Sequence, residues 1–511
     1  MMYVNQRKVG VILSYAIQFA KILISVIYTP VMLRLMGQNE FGLYQLVFSV
    51  VSYLSLLSLG FSSSYIRFYS RYKANNDQDG VARLNAMFLL IFISLSIVCM
   101  LCGSIMLCNI KFIFGNSLTD SEYSKAKILM LLLIFNLALT FINSVFTSVI
   151  TAHERFIFQK ILILLQSIFS PLLSLPLLIM GYGSIGLVSV TTILTVIVLL
   201  MNIHYSIYTL QISFLFKGFQ FCLLKEMSVF TFFIFLNQIF DQINWNVDKY
   251  LLGRLIGTTA VAVYGIGGII NSVFMEFSTS VSNVFVPKVN SLISESVSNR
   301  ELTKLFTKVG RIQFIIIGLV LSGFIIFGEQ FIIIWAGPDY ADSYMITVIL
   351  VTSISIPLIQ NLGIEIQFAK NMHKMRSIVY LIISIVNIII SIPLIKHFGT
   401  VGAAIGTAVS LFAGPIVFMN WYYHAHIGIN MLYFWKEIVS FAPAFLAPCV
   451  TGTAIIKLFN LSDIVNFGLS IILYILVYSF SMFFLGMNAE ERRLVIEPIK
   501  KLVQYKNSRI G

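Results

Sequence analysis

The chain predicts an all-α protein that crosses a membrane many times, and three observations carry that prediction. Of 511 residues, 58% are hydrophobic and only 11% charged, with a mean hydropathy of +0.91, a balance foreign to soluble domains. The apolar residues form continuous runs rather than the alternation of a lipid-facing strand, and only helices and closed barrels satisfy their backbone groups in lipid. The runs also have the right length, because a hydrocarbon core of about 30 Å needs roughly 20 apolar residues per helix. About fourteen stretches meet that requirement.

The first stretch, 9 to 35, follows Arg7 and Lys8; it is too long for a signal-peptide core and no small-residue cleavage site follows it, so it reads as a retained helix. The next five, 42 to 66, 85 to 108, 127 to 150, 161 to 180 and 186 to 208, are separated by short polar gaps. The segment from Ile212 to Met227 sets Phe214, Phe216, Phe219 and Phe221 beside Lys217 and Lys225 and reads as an amphipathic interfacial linker. Spans are then expected at 228 to 253, 260 to 286, 312 to 335, 344 to 368, 378 to 395 and 402 to 423, with a last pair at 437 to 458 and 465 to 487. Between the eighth and ninth, Ser298-Asn-Arg-Glu301 has the form of a capping box and predicts a short surface helix. Pro171, Pro176, Pro357, Pro393 and Pro415 fall inside spans, where such interruptions are tolerated.

Orientation follows from the basic residues. With a cytoplasmic amino terminus, the even-numbered loops and both ends hold 25 of the 34 Lys and Arg, and the opposite loops hold seven. That bias places both termini in the cytoplasm. It also accounts for the net charge of +13 through contact with anionic lipid, so no nucleic-acid partner is implied. Cys99 and Cys102 have redox-motif spacing but sit in an apolar run with no His nearby, and neither a disulfide framework nor a metal site is indicated.

An internal repeat organises the chain. Arg254-Leu-Ile-Gly257 and Tyr264 repeat Arg34-Leu-Met-Gly37 and Tyr44 at an offset of 220, and the same offset pairs Gln18 with Gln238 and Lys21 with Asp241. Pro176-Leu177 and Gly183-Ser-Ile-Gly186 recur as Pro393-Leu394 and Gly399-Thr-Val-Gly402 at offsets of 216 to 217. Residues 1–220 and 221–430 therefore read as two six-helix lobes, followed by two appended helices at 431–487 and a cytoplasmic tail at 488–511. Six helices per copy preserve orientation, so the lobes are related by an axis along the membrane normal and are expected to enclose a central cavity, a plan for alternating access.

Within this frame the informative stretch runs from Asn237 to Lys249. At 3.6 residues per turn, Asn237, Asp241, Asn244 and Asp248 share a face, with the two carboxylates roughly 10 Å apart. Ionisable groups at membrane depth mark a pathway or pair with each other. The first helix carries a matching polar stripe, Ser14, Gln18, Lys21, Ser25 and Tyr28. Lys21 and Asp241 are thus expected to meet across the cavity, or to exchange partners with substrate, in one state of the cycle. Glu276 and Glu365 are two further acids placed within helices, as candidate cavity or ion-coupling groups.

At Tyr28-Thr-Pro30, Leu33-Arg-Leu-Met-Gly37, Phe41-Gly-Leu-Tyr44 and Leu57-Ser-Leu-Gly60-Phe61, with Val247-Asp-Lys-Tyr-Leu-Leu-Gly253 in the second copy, the chain resembles the bacterial polysaccharide biosynthesis transporters. These are the O-antigen and capsule repeat-unit flippases of the multidrug/oligosaccharidyl-lipid/polysaccharide exporter superfamily. The resemblance implies a flippase, not an enzyme. It would move an undecaprenyl-pyrophosphate-linked oligosaccharide from the cytoplasmic to the periplasmic leaflet, without a cofactor but with coupling to H+ or Na+ open, among membrane lipids and beside polysaccharide assembly proteins. Lys21 suits a pyrophosphate, and the Asn, Gln, Ser and Tyr of both stripes suit a sugar. Asp248 lies in the shared motif and carries a structural share; Asp241 lies outside it and is the sharper functional candidate. A cation-coupled multidrug exporter and a lipid II flippase are the alternatives within the superfamily. A membrane glycosyltransferase, polymerase or ligase is disfavoured, because the longest outer loop, Asn109 to Ala126, is only about 18 residues.

Overall fold

In the computed structural model, residues 6–115, 117–217, 221–295, 297–372 and 374–497 are described, and among them the chain is helical without a strand. The first lobe runs through α1 (Gln6–Met36), α2 (Gln38–Ser52), α3 (Phe61–Ala74), α4 (Gln78–Cys108), the short α5 (Ile110–Phe114), α6 (Asp120–Ala152), α7 (Phe156–Ile179) and α8 (Gly183–His204). Then follow α9 (Phe221–Gln242), a wide π turn at Ile243–Val247, α10 (Asp248–Leu255), α11 (Thr258–Ser294) and α12 (Asn299–Trp335). The remainder is α13 (Ser343–Ile359), α14 (Leu362–Ala369), α15 (Lys374–Leu411), α16 (Met419–Tyr422), α17 (Met431–Val439), α18 (Ala442–Leu458) and α19 (Ile464–Ser481).

Eleven helices of the described residues are long and apolar enough to cross a membrane, and α13 with α14, bent by 45°, make a twelfth. This is fewer than the fourteen expected from the sequence, and two features lie where the remaining spans were placed. Residues 374–427 pass as one 54-residue candidate, yet Gly399 breaks the helix at φ 61° and ψ −136°. And α9 with α10, interrupted by the π turn, occupies the expected seventh span.

Several expectations change in detail. The capping-box signature at Ser298 opens no separate surface helix: its side chain makes no capping bond, and α12 runs unbroken for 37 residues, because apolar spacing continues through the first turns. A capping box does form at Thr119 with Glu122, opening α6. The first part of the amphipathic linker is not helical. Instead Leu215 N–H donates to Ala82 O (3.0 Å) and Asn85 Nδ2 to Ser213 O (3.1 Å), tying it to α4; residues 218–220 lie outside the described ones. In the tail, residues 489–497 are helical and 498–511 lie outside the described residues.

The repeat has a backbone counterpart. Gly37 and Gly257 both close their turns at positive φ (77° and 134°), and so do Gly183 and Gly399 (51° and 61°). These four positions demand a left-handed backbone that a Cβ would strain, so equivalent glycines of the two copies do the same geometric work.

By contacts the chain divides into two compact units, residues 1–268 with 377–407, and residues 269–376 with 408–511. This boundary differs from the halves of the repeat. In the first unit α9, α10 and the first part of α15 join the amino-terminal helices, since α9 packs on α3 and α10 on α2 and α5. In the second unit the appended α18 and α19 pack on α12. Phe327, Phe441, Tyr474, Tyr478 and Met482 form a dry core there, with Tyr474 Oη donating to Ser322 Oγ at 2.8 Å and Tyr478 Oη to Ile315 O at 2.9 Å. Arg311, 4% exposed, bridges Glu491 (Nε to Oε1 2.6 Å) and Glu437 (3.1 Å), with its guanidinium 4.3 Å from the Phe441 ring. Removing one partner of such a buried pair costs about 3–5 kcal/mol.

Candidate functional site

The seventh span and the first part of α15 meet along a polar ladder inside the first unit. Asn237 Nδ2 donates to Ser377 Oγ at 2.9 Å, the Phe240 and Tyr380 rings meet tilted with centroids 4.4 Å apart, and Asn387 Nδ2 donates to Asn244 Oδ1 at 3.1 Å. The lowest rung is Asp248, fully buried, whose Oδ2 accepts from Tyr264 Oη (2.7 Å) and from Thr407 Oγ1. Asn244 and Asp248, four apart as neighbours on one helical face are, both bond to α15.

Asp241 is different: it is exposed. On the uniform helical wheel it stands about 40° from Asn237, and the π turn then rotates Asp248 away from it. The shared face expected for all four polar residues is therefore kept by Asn237, Asn244 and Asp248 only. Gln238 is half-buried on the same helix, and its buried Oε1 has no hydrogen-bond partner among the described residues.

Lys21 is exposed on α1 and makes no hydrogen bond or ion pair with a described residue, so it does not pair with Asp241 in this conformation. Gln18, three residues earlier, is half-buried. Glu276 on α11 and Glu365 on α14 are half-buried and belong to the second unit.

Sequence reasoning passed over several residues that complete the site. Ser391, fully buried, sits beside Asp248, and its Oγ donates at 3.0 Å to Oδ1 of Asn387, which is 1% exposed. Their signal was present: each is an isolated polar residue in the Ile-rich run 378 to 395. On the opposite face, Lys249 Nζ donates to Gln45 Oε1 at 3.1 Å, while Gln242 Nε2 donates to Ser55 Oγ and its Oε1 accepts from Ser52 Oγ, both at 3.1 Å.

The Asp248 seat is a buried carboxylate ringed by oxygen-bearing side chains. Its buried Oδ1 has no hydrogen-bond partner among the described residues, and its surroundings supply the hydroxyl oxygens of Tyr264, Thr407 and Ser391. A bare buried carboxylate oxygen is costly; a proton or a small monovalent cation would relieve that cost. No group of three or more His, Cys, Asp or Glu among the described residues could hold a metal of the transition series.

Comparison with known proteins fixes the family. The model of the family "Polysaccharide biosynthesis protein" matches residues 8–292, more than half of the chain and both copies of the Arg-Leu-x-Gly motif. The chain belongs to the polysaccharide biosynthesis protein family. The motif resemblance is thereby borne out. Among family relatives, membrane protein EpsK of Bacillus subtilis (strain 168) is 22% identical over 494 residues, 94% of this chain and 95% of that protein. A putative O-antigen transporter of Shigella flexneri is 20% identical over 398 residues, covering 76% of this chain and 91% of the relative. In fold, the polysaccharide biosynthesis protein matches the lipid II flippase MurJ in its inward closed conformation, with a TM-score of 0.71 and 16% identity over 93% of this chain and 97% of that one. The expectation of an all-α, multi-pass transporter fold is met.

Proposed function

We propose that this protein flips an undecaprenyl-pyrophosphate-linked oligosaccharide from the cytoplasmic to the periplasmic leaflet of the bacterial inner membrane by alternating access, as a step of surface-polysaccharide biosynthesis. The observation that carries the reading is a membrane-embedded lysine, Lys21, exposed and without a partner among the described residues. An isolated cation inside a membrane protein is costly, and a pyrophosphate headgroup supplies the missing charge. A relative named as a putative O-antigen transporter supports a polysaccharide substrate, and another named as a probable flippase supports the flipping step. Asn237, Asn244, Gln18 and Gln238 offer amide groups for sugar hydroxyls.

Transport is driven, on this reading, by H+ or Na+ taken up at Asp248, with Asp241 contacting substrate or proton and both termini cytoplasmic. Glu276 and Glu365 are secondary candidates for coupling. The lipid II flippase alternative draws support from the MurJ fold match, and a multidrug exporter would need an acidic cavity, which an uncompensated Lys21 opposes.

The test is reconstitution into proteoliposomes with undecaprenyl-pyrophosphate-linked oligosaccharide, lipid II and a cationic dye in parallel. Selective movement of the oligosaccharide lipid is expected, collapsing in Lys21→Gln. Movement of lipid II or of dye alone would reassign the substrate.

A further inference from the structure

One contact in the first unit has an unusual property: it joins residues that are equivalent in the two copies of the repeat. Thr259 Oγ1 donates to Asn39 Oδ1 at 2.9 Å; a Cβ on Gly42 would stand 3.3 Å from Ala262 Cβ and would collide with the carbonyl oxygen of Thr258; a Cβ on Gly265 would lie 3.4 Å from Gln45 Cγ. Each pair, 39 with 259, 42 with 262 and 45 with 265, is separated by the repeat offset of 220. Equivalent residues of two copies touch only where a two-fold axis passes between them, so the amino-terminal turns of α2 and α11 straddle a local pseudo-two-fold axis. The rim around this seam is closed by Glu122, which accepts from Thr258 Oγ1 at 2.8 Å, and by Glu40, which accepts from Lys125 Nζ at 2.9 Å and Ser184 N–H at 2.7 Å.

Lys249 bears on this seam. Its ammonium bonds to Gln45, the innermost residue of the three pairs, and meets no carboxylate within 4 Å among the described residues. The neighbouring Asp248 is turned to the opposite face and held there by Tyr264 and Thr407. A cation secured by one neutral amide is bound weakly compared with one facing an anionic phosphate.

The geometry points to the self-paired seam of α2 and α11 as the gate on the side of the odd-numbered loops, with Lys249 as its latch: an anionic headgroup that draws Lys249 from Gln45 frees the innermost pair and lets the seam part. This rests on the flippase reading and deepens it by naming a residue that couples headgroup charge to opening.

The full chain in proteoliposomes tests it, with native cysteines replaced and Asn39→Cys/Thr259→Cys bridged by a short bifunctional thiol reagent cleavable by reduction. Bridging is expected to lower oligosaccharide-lipid flipping at least about tenfold, with recovery on reduction. Added undecaprenyl pyrophosphate is expected to slow bridging several-fold, about the span of a modest coupling energy, and Lys249→Gln to erase that slowing while leaving bridging without lipid unchanged. Flipping that persists across a bridged seam overturns the gate, and slowing that persists in Lys249→Gln overturns the latch. Failure of the unbridged protein to move the oligosaccharide lipid counts against the flippase reading instead, and the bridging rates with and without pyrophosphate lipid still decide the latch.

Discussion

The two copies of the repeat hold the same seat with different chemistry. In the first, Tyr28 on α1 meets Ser174 on α7, hydroxyl to hydroxyl at 2.6 Å. At the equivalent positions of the second copy stand Asp248 and Ser391, now with Thr407 and Tyr264 bonded to the acid and Asn387 bonded to Ser391. A tyrosine satisfies its seat with one hydrogen bond and an apolar ring, whereas the carboxylate recruits a shell of hydroxyls and still leaves Oδ1 unsatisfied among the described residues. The repeat presents one packing position twice, and only the second copy places a carboxylate there. A structural role alone would be met more cheaply by the first solution.

That contrast can be broken in several ways. Asp248→Asn retains shape and removes charge; stimulation of transport by an imposed Na+ or H+ gradient is expected to fall by about 5–150-fold, the span of typical coupling energies, read as initial flipping rates with and without the gradient. Lys21→Gln removes the proposed headgroup cation; with a charged hydrogen bond worth about 1.5–3 kcal/mol, the apparent affinity for the pyrophosphate lipid is expected to weaken by one to two orders of magnitude at unchanged protein level. Asp248→Ala leaves the Tyr264 and Thr407 hydroxyls buried and unpaired, at about 1–3 kcal/mol each, and is expected to lower the melting midpoint in detergent well below that of Asp248→Asn. Tyr28→Phe, the matching change in the first copy, loses one hydrogen bond of about 0.5–1.5 kcal/mol and is expected to leave the ion dependence intact; a loss of ion dependence there would dissolve the distinction between the seats.

The smallest effect concerns a group outside both seats. His153, at the end of α6, bonds to Tyr69 Oη at 3.0 Å and Val149 O at 2.9 Å, and burial pushes its imidazole below the usual histidine value. The folded form therefore resists a proton that the unfolded chain accepts. Its contribution is present above about pH 6.5, the unperturbed value, and is lost as pH falls through the lower folded one. His153→Gln is expected to flatten that acid limb of the melting curve slightly.

Much of this was legible in one dimension. The spans were, because hydropathy and length are properties of a segment by itself. So was the repeat, whose paired glycines 37 and 257 recur with the same handedness. The site was legible in part: Asn237, Asn244 and Asp248 share a face, but Asp241 departs from it because a π turn intervenes, and nothing local in Ile243–Val247 announces a wide turn. Ser377, Asn387 and Thr407 were out of reach as partners, since each lies 140 or more residues from the group it bonds.

The sequence by itself determined that this protein is an all-helical, duplicated membrane transporter, since lipid enforces helices on every long apolar run and a repeat is recorded letter by letter. Tertiary structure alone decided which polar residues are buried together, which cations are left uncompensated and where the two copies touch. Those outcomes depend on rotations about helix axes and on contacts between distant segments, and a single wide turn is enough to redirect a side chain from one neighbour to another.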